Sequence, residues 1–540
     1  MSSAGNSVDR LLSLLIAFLV VSAIYLYAFP QANIFYAGVV VLHALTGVGA
    51  SIWLLLWLAR SWRQGLGQAK QADVVRLLWP TGVLQDEIEV AANKVQNIQE
   101  IDRRGSSCPT LFAWDGQEYQ LIGDMLGAGV VGHWIAVTDG KVERNIARPT
   151  ESIKLDRASL RERDGKLSFR FMEPLEESVY LDQVKLLAVD HPDDVDVYPN
   201  EYFASNPPHP PFKVVFSRNA RPPAGAWDEH GHNVLPDLLA HHYFGDFKVL
   251  SFMGFTEPHS LELDLGEPYR GGPLWLLMHG EIEYFSATSM YAADQGQLHP
   301  FGPYVEALVA TSDGKAKWIR VVDDMGFPAG GARTMTADLT GKLPPGTRRI
   351  RITTNLQIYW DSILISRTEQ NQTARLTPVP LARADLSFHG FPLKIEDQPP
   401  GNVQYIYEKV SATGPYTRPA GAYSRYGDVR PLLDSLDDKF VVFGSGDEIA
   451  LDFDPAKLPV LPHGWVRDYF FVANGYEKDM DFYAYRGDTV DPLPFRDMGS
   501  YPYPGQSFPS DAEHLNYLLD YNTRFMSGNE ASGYSFQYPK

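Results

Sequence analysis

Two long apolar runs open the chain, and nothing else in the sequence restricts its fold so strongly. Residues 11–29 read LLSLLIAFLVVSAIYLYAF and residues 34–58 read IFYAGVVVLHALTGVGASIWLLLWL. In hydrocarbon every backbone N–H and C=O must be satisfied inside the segment, so such runs can cross a membrane only as helices. Each is about 20 residues, the length that spans a bilayer core. The uncharged PQAN at residues 30–33 reads as a tight turn. The pair predicts a transmembrane helical hairpin over residues 1–62. Tyr25, Tyr27, Tyr36, Trp53, Trp57 and Trp62 lie toward the helix ends, where amphipathic rings favour the interface. A cleaved signal peptide is the weaker reading, because Arg10 is offset by Asp9 and no convincing small-x-small cleavage site follows.

His43 is the polar exception in the second run. Gly38, Ala44, Gly47, Gly49, Ala50 and Ser51 leave a face without bulk, which lets another helix or a flat cofactor approach closely. Polar groups inside a membrane face protein rather than lipid. His43 is therefore expected to pack against a helix of another subunit, with axial ligation of a haem or chlorin as the alternative. No other cofactor and no metal is expected. Arg60, Arg63, Lys70 and Arg76 follow the second run, against Arg10 alone before the first. By the positive-inside rule that asymmetry places both termini, and the large soluble part, in the cytoplasm.

After about residue 70 the pattern changes to short apolar runs alternating with polar and turn residues, which is strand grammar. In KLSFRFM, Leu167, Phe169 and Phe171 share one side. In LDQVKLLAVD, Val184, Leu186 and Ala188 do the same. Many such strands at turn-separated intervals predict a mainly β protein of β-sandwich, jelly-roll-like domains behind the helical hairpin. The stretch NVLPDLLAHHYF is the best short helical exception. The 540 residues are expected to divide into the hairpin (1–62), a linker with a short module (63–104), a β-sandwich region of two sandwiches (105–370), a β-rich domain (371–491) and an aromatic, Pro-rich extended tail (492–540). That tail has aromatics in need of burial, so it should wrap a surface, or else offer one to a partner. A formal net charge of −19 argues against nucleic acid as a partner. The single cysteine, Cys108, leaves no internal disulfide and, by the sequence, no Cys-based zinc or iron–sulfur site to expect.

Residues 75–100, VRLLWPTGVLQ…VAANKVQNIQE, resemble the ASPIC/UnbV module, whose marks are a W-P-[ST]-G turn, a following Gln and an AAN before a terminal strand. The region 63–104 is thus expected to be a linker with an ASPIC/UnbV-like segment. Residues 107–129, 181–192, 355–365, 446–454 and 469–481 are similar to the C-terminal extension found after this module in some bacterial FG-GAP and tetratricopeptide proteins related to cartilage acidic protein. The resemblance implies an exported head, which opposes the charge rule and favours an extracytoplasmic, periplasmic side of a bacterial inner membrane. The FG-GAP propeller and its calcium loops are absent, so calcium binding is not carried over.

Three groups of residues stand out as site candidates. Asp228, Glu229, His230, His232, His241 and His242 have metal-ligating side chains, but Gly231 argues for a turn, and they read as exposed loop histidines. Asp190, Asp193, Asp194 and Asp196 read as a solvated acidic loop. Tyr359, Trp360 and Asp361 sit where a jelly-roll sheet would offer a stacking aromatic and a hydroxyl acceptor to a sugar, against the alternative that Trp360 belongs to the core. Glu281 and Glu283 read as ordinary strand surface. No G-x-S-x-G, Walker A or strand-following G-x-G-x-x-G occurs. The expected role is a membrane-anchored, non-catalytic scaffold or accessory subunit that meets integral membrane proteins through the hairpin. A glycan-binding or carbohydrate-active head is the alternative, and a haem- or chlorin-ligating subunit the second alternative.

Overall fold

The computed structural model describes residues 5–28, 34–61, 69–79, 84–100, 108–146, 150–157, 159–203, 211–311, 314–397, 402–416 and 418–528. The turns expected at 30–33 and 80–83, together with Trp62, Arg63 and the end of the tail, lie outside the described residues, as do the side chains of Trp53 and Trp57.

Two helices, Gly5–Ala28 and Ile34–Ser61, form the N-terminal part. Among the described residues, Ile34–Ile52 is long and apolar enough to cross a membrane, and Ala17–Ala28 is a shorter apolar helix. The helices are joined by specific contacts. Ser22 Oγ lies 2.6 Å from the Phe18 carbonyl and 2.7 Å from His43 Nδ1, so in the Nδ1–H tautomer the hydroxyl donates to the first and accepts from the second. Tyr36 donates to the Leu26 carbonyl at 3.1 Å. His43 thus finds a partner within its own hairpin. The small residues on its helix remain open, since a Cβ added at Gly38, Gly47 or Gly49 would meet nothing within 4 Å.

The head is mainly β, as expected, and is built from two sandwiches. In the first, strand Ser178–Pro192 pairs along its length with Trp465–Lys478, from Ser178↔Lys478 to Pro192↔Trp465. Strands Thr150–Leu155, Arg375–Val379 and Val441–Gly444 complete that sheet. The facing sheet contains Thr110–Trp114, Tyr119–Asp124, Lys166–Met172, Leu381–Phe388 and Asp447–Phe453. Leu167, Phe169, Phe171, Val184, Leu186 and Ala188 all enter the core between the sheets, where they meet Phe443, Phe453 and Phe471. Period-two alternation gives each strand one apolar face, and closing two such faces is what removes them from water. Burying each of these Phe rings contributes about 1.5–3 kcal/mol.

The second sandwich is inserted between the two halves of the first. Its five-stranded sheet comprises Gly225–Trp227, Phe255–Asp264, Arg349–Leu356, Tyr304–Ala310 and Ala316–Val322; its three-stranded sheet is Arg333–Asp338, Trp275–Ile282 and Ile358–Ser366. The boundary expected at residues 370/371 therefore does not separate two domains. Strands after it complete sheets begun before residue 200, because the partner of Ser178–Pro192 lies almost 300 residues downstream.

Two local expectations also change. Asp190 is fully buried on its strand rather than in a solvated loop, with Arg467 Nε donating to it at 2.6 Å and Arg375 alongside. The tail is not extended throughout. Phe495, Tyr501, Tyr503 and Phe508 do pack into a hydrophobic cluster, but Ala512–Asp520 is a helix capped by Asp511, which accepts from the Glu513 and His514 amides. The helix expected within NVLPDLLAHHYF is present as Leu235–Ala240.

Candidate functional site

The sheet of the second sandwich changes character along one strand. In Trp275–Ile282, Leu276, Met278 and Ile282 face the sandwich core, while Trp275 and Leu277 face the other way against Val215 and Leu364. Continuing on that outer face come His279 and Glu281. Apolar residues thus cover one end of the face, and two ionisable residues stand at the other.

A β-bulge adds the third group. His279 pairs with Ser362 but Gly280 pairs with Trp360, so Asp361 is the extra residue of the neighbouring strand. The core-facing positions are consequently Ile358 and Trp360 before the bulge, and Ile363 and Ile365 after it. Bulges re-aim a side chain in this way. Asp361 is delivered to the outer face, where its Oδ1 lies 2.7 Å from His279 Nδ1. The close approach also explains Gly280, since a Cβ there would sit 2.4 Å from the Tyr359 carbonyl oxygen.

These three residues line a cleft of about 910 Å³ between the sandwiches. The first sandwich contributes Gln120–Asp124, and the hairpin Phe391–Asp397/Asn402–Ser411 contributes Gln404 and Tyr405. The second adds Asp237, His241, His242 and Tyr243 from the end of helix Leu235–Ala240, whose cap residue His241 takes a left-handed φ of 55°. No Lys or Arg is among the described residues that line it. Asp124 is satisfied from behind, with Arg333 Nη2 donating at 2.6 Å and the Gly331 amide at 3.0 Å. Arg333 also donates to Glu151 at 2.9 Å; burial works against its charge, but the Asp124 and Glu151 carboxylates outweigh that and hold its proton more tightly than usual.

Glu281 has no such cation. Burial pushes its carboxyl up to about 8, with Glu283, Asp124 and Asp361 adding repulsion, so at neutral pH it is largely a hydrogen-bond donor. Burial, with Glu281 and Asp361 nearby, pushes the Tyr243 hydroxyl up as well. The wall therefore combines a protonated acid, a His–carboxylate pair, two accessible histidines, two amides and two phenols. That mixture can donate and accept hydrogen bonds, and it lacks the cations an anionic ligand would require.

Of the trio Tyr359, Trp360 and Asp361, only Asp361 lines the cleft. Trp360 is core, 5 % exposed, and offers no face to a sugar. Tyr359 is buried against Phe247 and accepts a hydrogen bond from Gln357 Nε2 at 2.6 Å. His230, His232, His241 and His242 are all exposed, as expected, and the latter two stand at the cleft. His232 Nδ1 instead lies 2.9 Å from Asp228 and 3.2 Å from Asp246, away from it. Sequence reasoning dismissed Glu281 and passed over His279. The available signal was the switch from Trp275 and Leu277 to His279 and Glu281 at constant spacing.

No family model matches this chain, and no curated protein matches it. Among solved structures, the VP2 subviral particle of infectious bursal disease virus is 10% identical over 69% of this chain and 77% of that chain, with a TM-score of 0.11. The structure of the Gx strain of the same virus is 9% identical over 70% and 76%, also with a TM-score of 0.11. Likenesses this slight carry no argument about fold or function.

Proposed function

We propose that this protein is a membrane-anchored recognition protein whose β head binds a neutral polyhydroxylated ligand, a glycan segment, in the cleft between its sandwiches. The observation that carries the reading is the pairing on one wall of a protonated acid, Glu281, with the His279–Asp361 pair, in a cleft with no lysine or arginine among its described lining residues. Vicinal hydroxyls donate and accept at once, and they match a wall that does the same. Tyr405 and Tyr243 supply the aromatic surface that Trp360 does not.

The test uses the full chain in mild detergent, titrated with a panel of neutral oligosaccharides and followed by calorimetry. One member of the panel should bind, and Asp361→Asn and Glu281→Gln should each weaken it tenfold or more. Binding that survives both substitutions would remove the cleft from the reading. Release of reducing ends, abolished by Glu281→Gln, would turn the recognition site into a hydrolytic one, because a protonated acid and a second carboxylate are also what glycoside cleavage uses.

A second reading is favoured by the hairpin. The open faces at Gly38, Gly47 and Gly49 support packing against the helix of an integral membrane partner, which would make the chain an accessory subunit. The resemblance to the ASPIC/UnbV module, in which Trp79 Nε1 donates to Gln85 Oε1 at 2.7 Å, favours a head on the extracytoplasmic side with two spans behind it. Extraction from native membranes tests this directly. A stoichiometric membrane partner supports it, and a visible absorption lost in His43→Leu would identify haem or chlorin; a colourless homogeneous particle rejects both.

A further inference from the structure

We infer that Cys108, Glu177 and Glu477 hold a divalent metal ion of zinc's class in a closed structural site inside the first sandwich, with Glu173 beside it. The donor atoms of Cys108, Glu177 and Glu477 all lie within 4.8 Å of one another, and Cys108 Sγ is 3.2 Å from Glu477 Oε1. Every one of these residues is buried: Cys108 is 2 % exposed, Glu177 1 %, and Glu173 and Glu477 0 %.

Burial alone would be a poor reason to invoke an ion, because acidic side chains can gather without one. The orphaned oxygens supply the second reason. Glu173 Oε1 accepts from the Leu175 amide at 2.8 Å, but its Oε2 has no hydrogen-bond partner, and neither does Glu477 Oε2. A buried polar atom left unsatisfied costs roughly 1–3 kcal/mol, more when charged. These two oxygens, beside a thiol and a further glutamate, are electron-pair donors that no hydrogen-bond donor answers. A cation supplies it.

The donor set selects the kind of cation. Magnesium and calcium take oxygen ligands, and calcium takes six or more, whereas a thiolate selects a softer ion. Zinc accepts both thiolate and carboxylate in a tetrahedron, at about 2.0–2.3 Å, so its ligands stand roughly 3.3–3.7 Å apart. Donors already within 4.8 Å need to close by only about 1 Å to meet it. Glu173, near enough to Glu477 for their charges to repel, would supply the fourth ligand.

The topology gives the ion a structural task. Cys108 precedes strand Thr110–Trp114, Glu173 and Glu177 fill the turn between Lys166–Met172 and Ser178–Pro192, and Glu477 ends the long strand Trp465–Lys478. Cys108 and Glu477 are 369 residues apart in sequence. An ion there would fasten the first and last thirds of the head, much as a disulfide would in a chain with a second cysteine.

The experiment is elemental mass spectrometry on the full chain, purified in mild detergent without chelators, followed by thermal unfolding with and without a strong chelator. The expected result is about one zinc per chain, a melting temperature lowered by chelation, and its recovery on adding zinc. Cobalt-exchanged protein should show a sulfur-to-cobalt charge-transfer band that is absent in Cys108→Ser. Zinc, iron and manganese all far below stoichiometry, with melting indifferent to the chelator, would overturn the inference; both readings are made on the unaltered protein, so a misfolded variant cannot blur them. Glu477→Gln adds a discriminating sign. It should lose the metal and melt lower if an ion is held, and should be at least as stable as the parent if the cluster is a set of protonated acids, which the amide imitates.

Discussion

Asp124 and Glu281 face the same cleft and are almost equally buried, 6 % and 7 % exposed, yet they live in opposite circumstances. Asp124 is gripped by the Arg333 guanidinium and the Gly331 amide, and the guanidinium is shared with buried Glu151. Glu281 stands one strand away, with other carboxylates around it and no cation, and its carboxyl is pushed up to about 8. Burial is common to both, so burial does not decide what a carboxylate is for. The partner decides it. A paired acid is a joint between sandwiches, here linking strand Tyr119–Asp124 to strand Arg333–Asp338; an unpaired one keeps its proton and can offer it to a ligand.

Arg333→Met tests the joint most severely. It leaves Asp124 and Glu151 buried without their cation, and breaking such a pair from one side costs about 3–5 kcal/mol. Chemical denaturation of the head should read that loss, whereas Glu281→Gln should not destabilise the head and at neutral pH should raise its stability, since the amide imitates the protonated acid without the cost of holding a proton that the unfolded chain has released. A cost below about 1 kcal/mol for Arg333→Met would erase the distinction between the two residues.

A smaller effect follows from proton linkage. Glu281 is raised in the folded head from the usual 4.5 to about 8, so between those values the folded state holds a proton that the unfolded state has released. Its contribution to stability is fully present below the ordinary glutamate range and is lost as pH rises toward about 8. The slope for one such group is about 1.4 kcal/mol per pH unit at most. Denaturation midpoints across that window should fall with rising pH in the parent protein and fall less in Glu281→Gln. Parallel slopes would mean that Glu281 ionises normally, and the cleft would then lose its donor.

Much of the fold was legible because alternation is a local signal. Leu167, Phe169 and Phe171, with Val184, Leu186 and Ala188, could be assigned to one core from spacing alone, and the helix at Leu235–Ala240 from its short apolar repeat. What was not legible is long-range. Nothing near residue 180 says that its strand will pair with one near 475, so the boundary placed at residues 370/371 cut through a shared sheet. The site failed to show for a related reason. Simple alternation runs evenly through IYWDSILI, whereas the bulge at Asp361 shifts the register by one, sends Trp360 inward and turns Asp361 toward His279. Only the neighbouring strand reveals that shift. The two orphaned oxygens of Glu173 and Glu477 were equally invisible, because Cys108 and Glu477 meet only when the sandwich closes.

The finest test separates contribution to structure from contribution to binding. His279 is the partner of Asp361, but its side chain is 36 % exposed, whereas that of Arg333 is 3 % exposed. An accessible partner holds little of the fold, because water in the cleft can replace it once it is removed. His279→Ala should therefore cost no more than about 1 kcal/mol of stability, and less at high salt. Its effect on an oligosaccharide bound in the cleft should be larger than its effect on folding, because Asp361 would lose the contact that fixes its orientation. The same pair of measurements on Arg333→Met should come out in the opposite order. If His279→Ala destabilised the head as much as Arg333→Met does, the His279–Asp361 pair would be a second joint, and the cleft wall would be structural throughout.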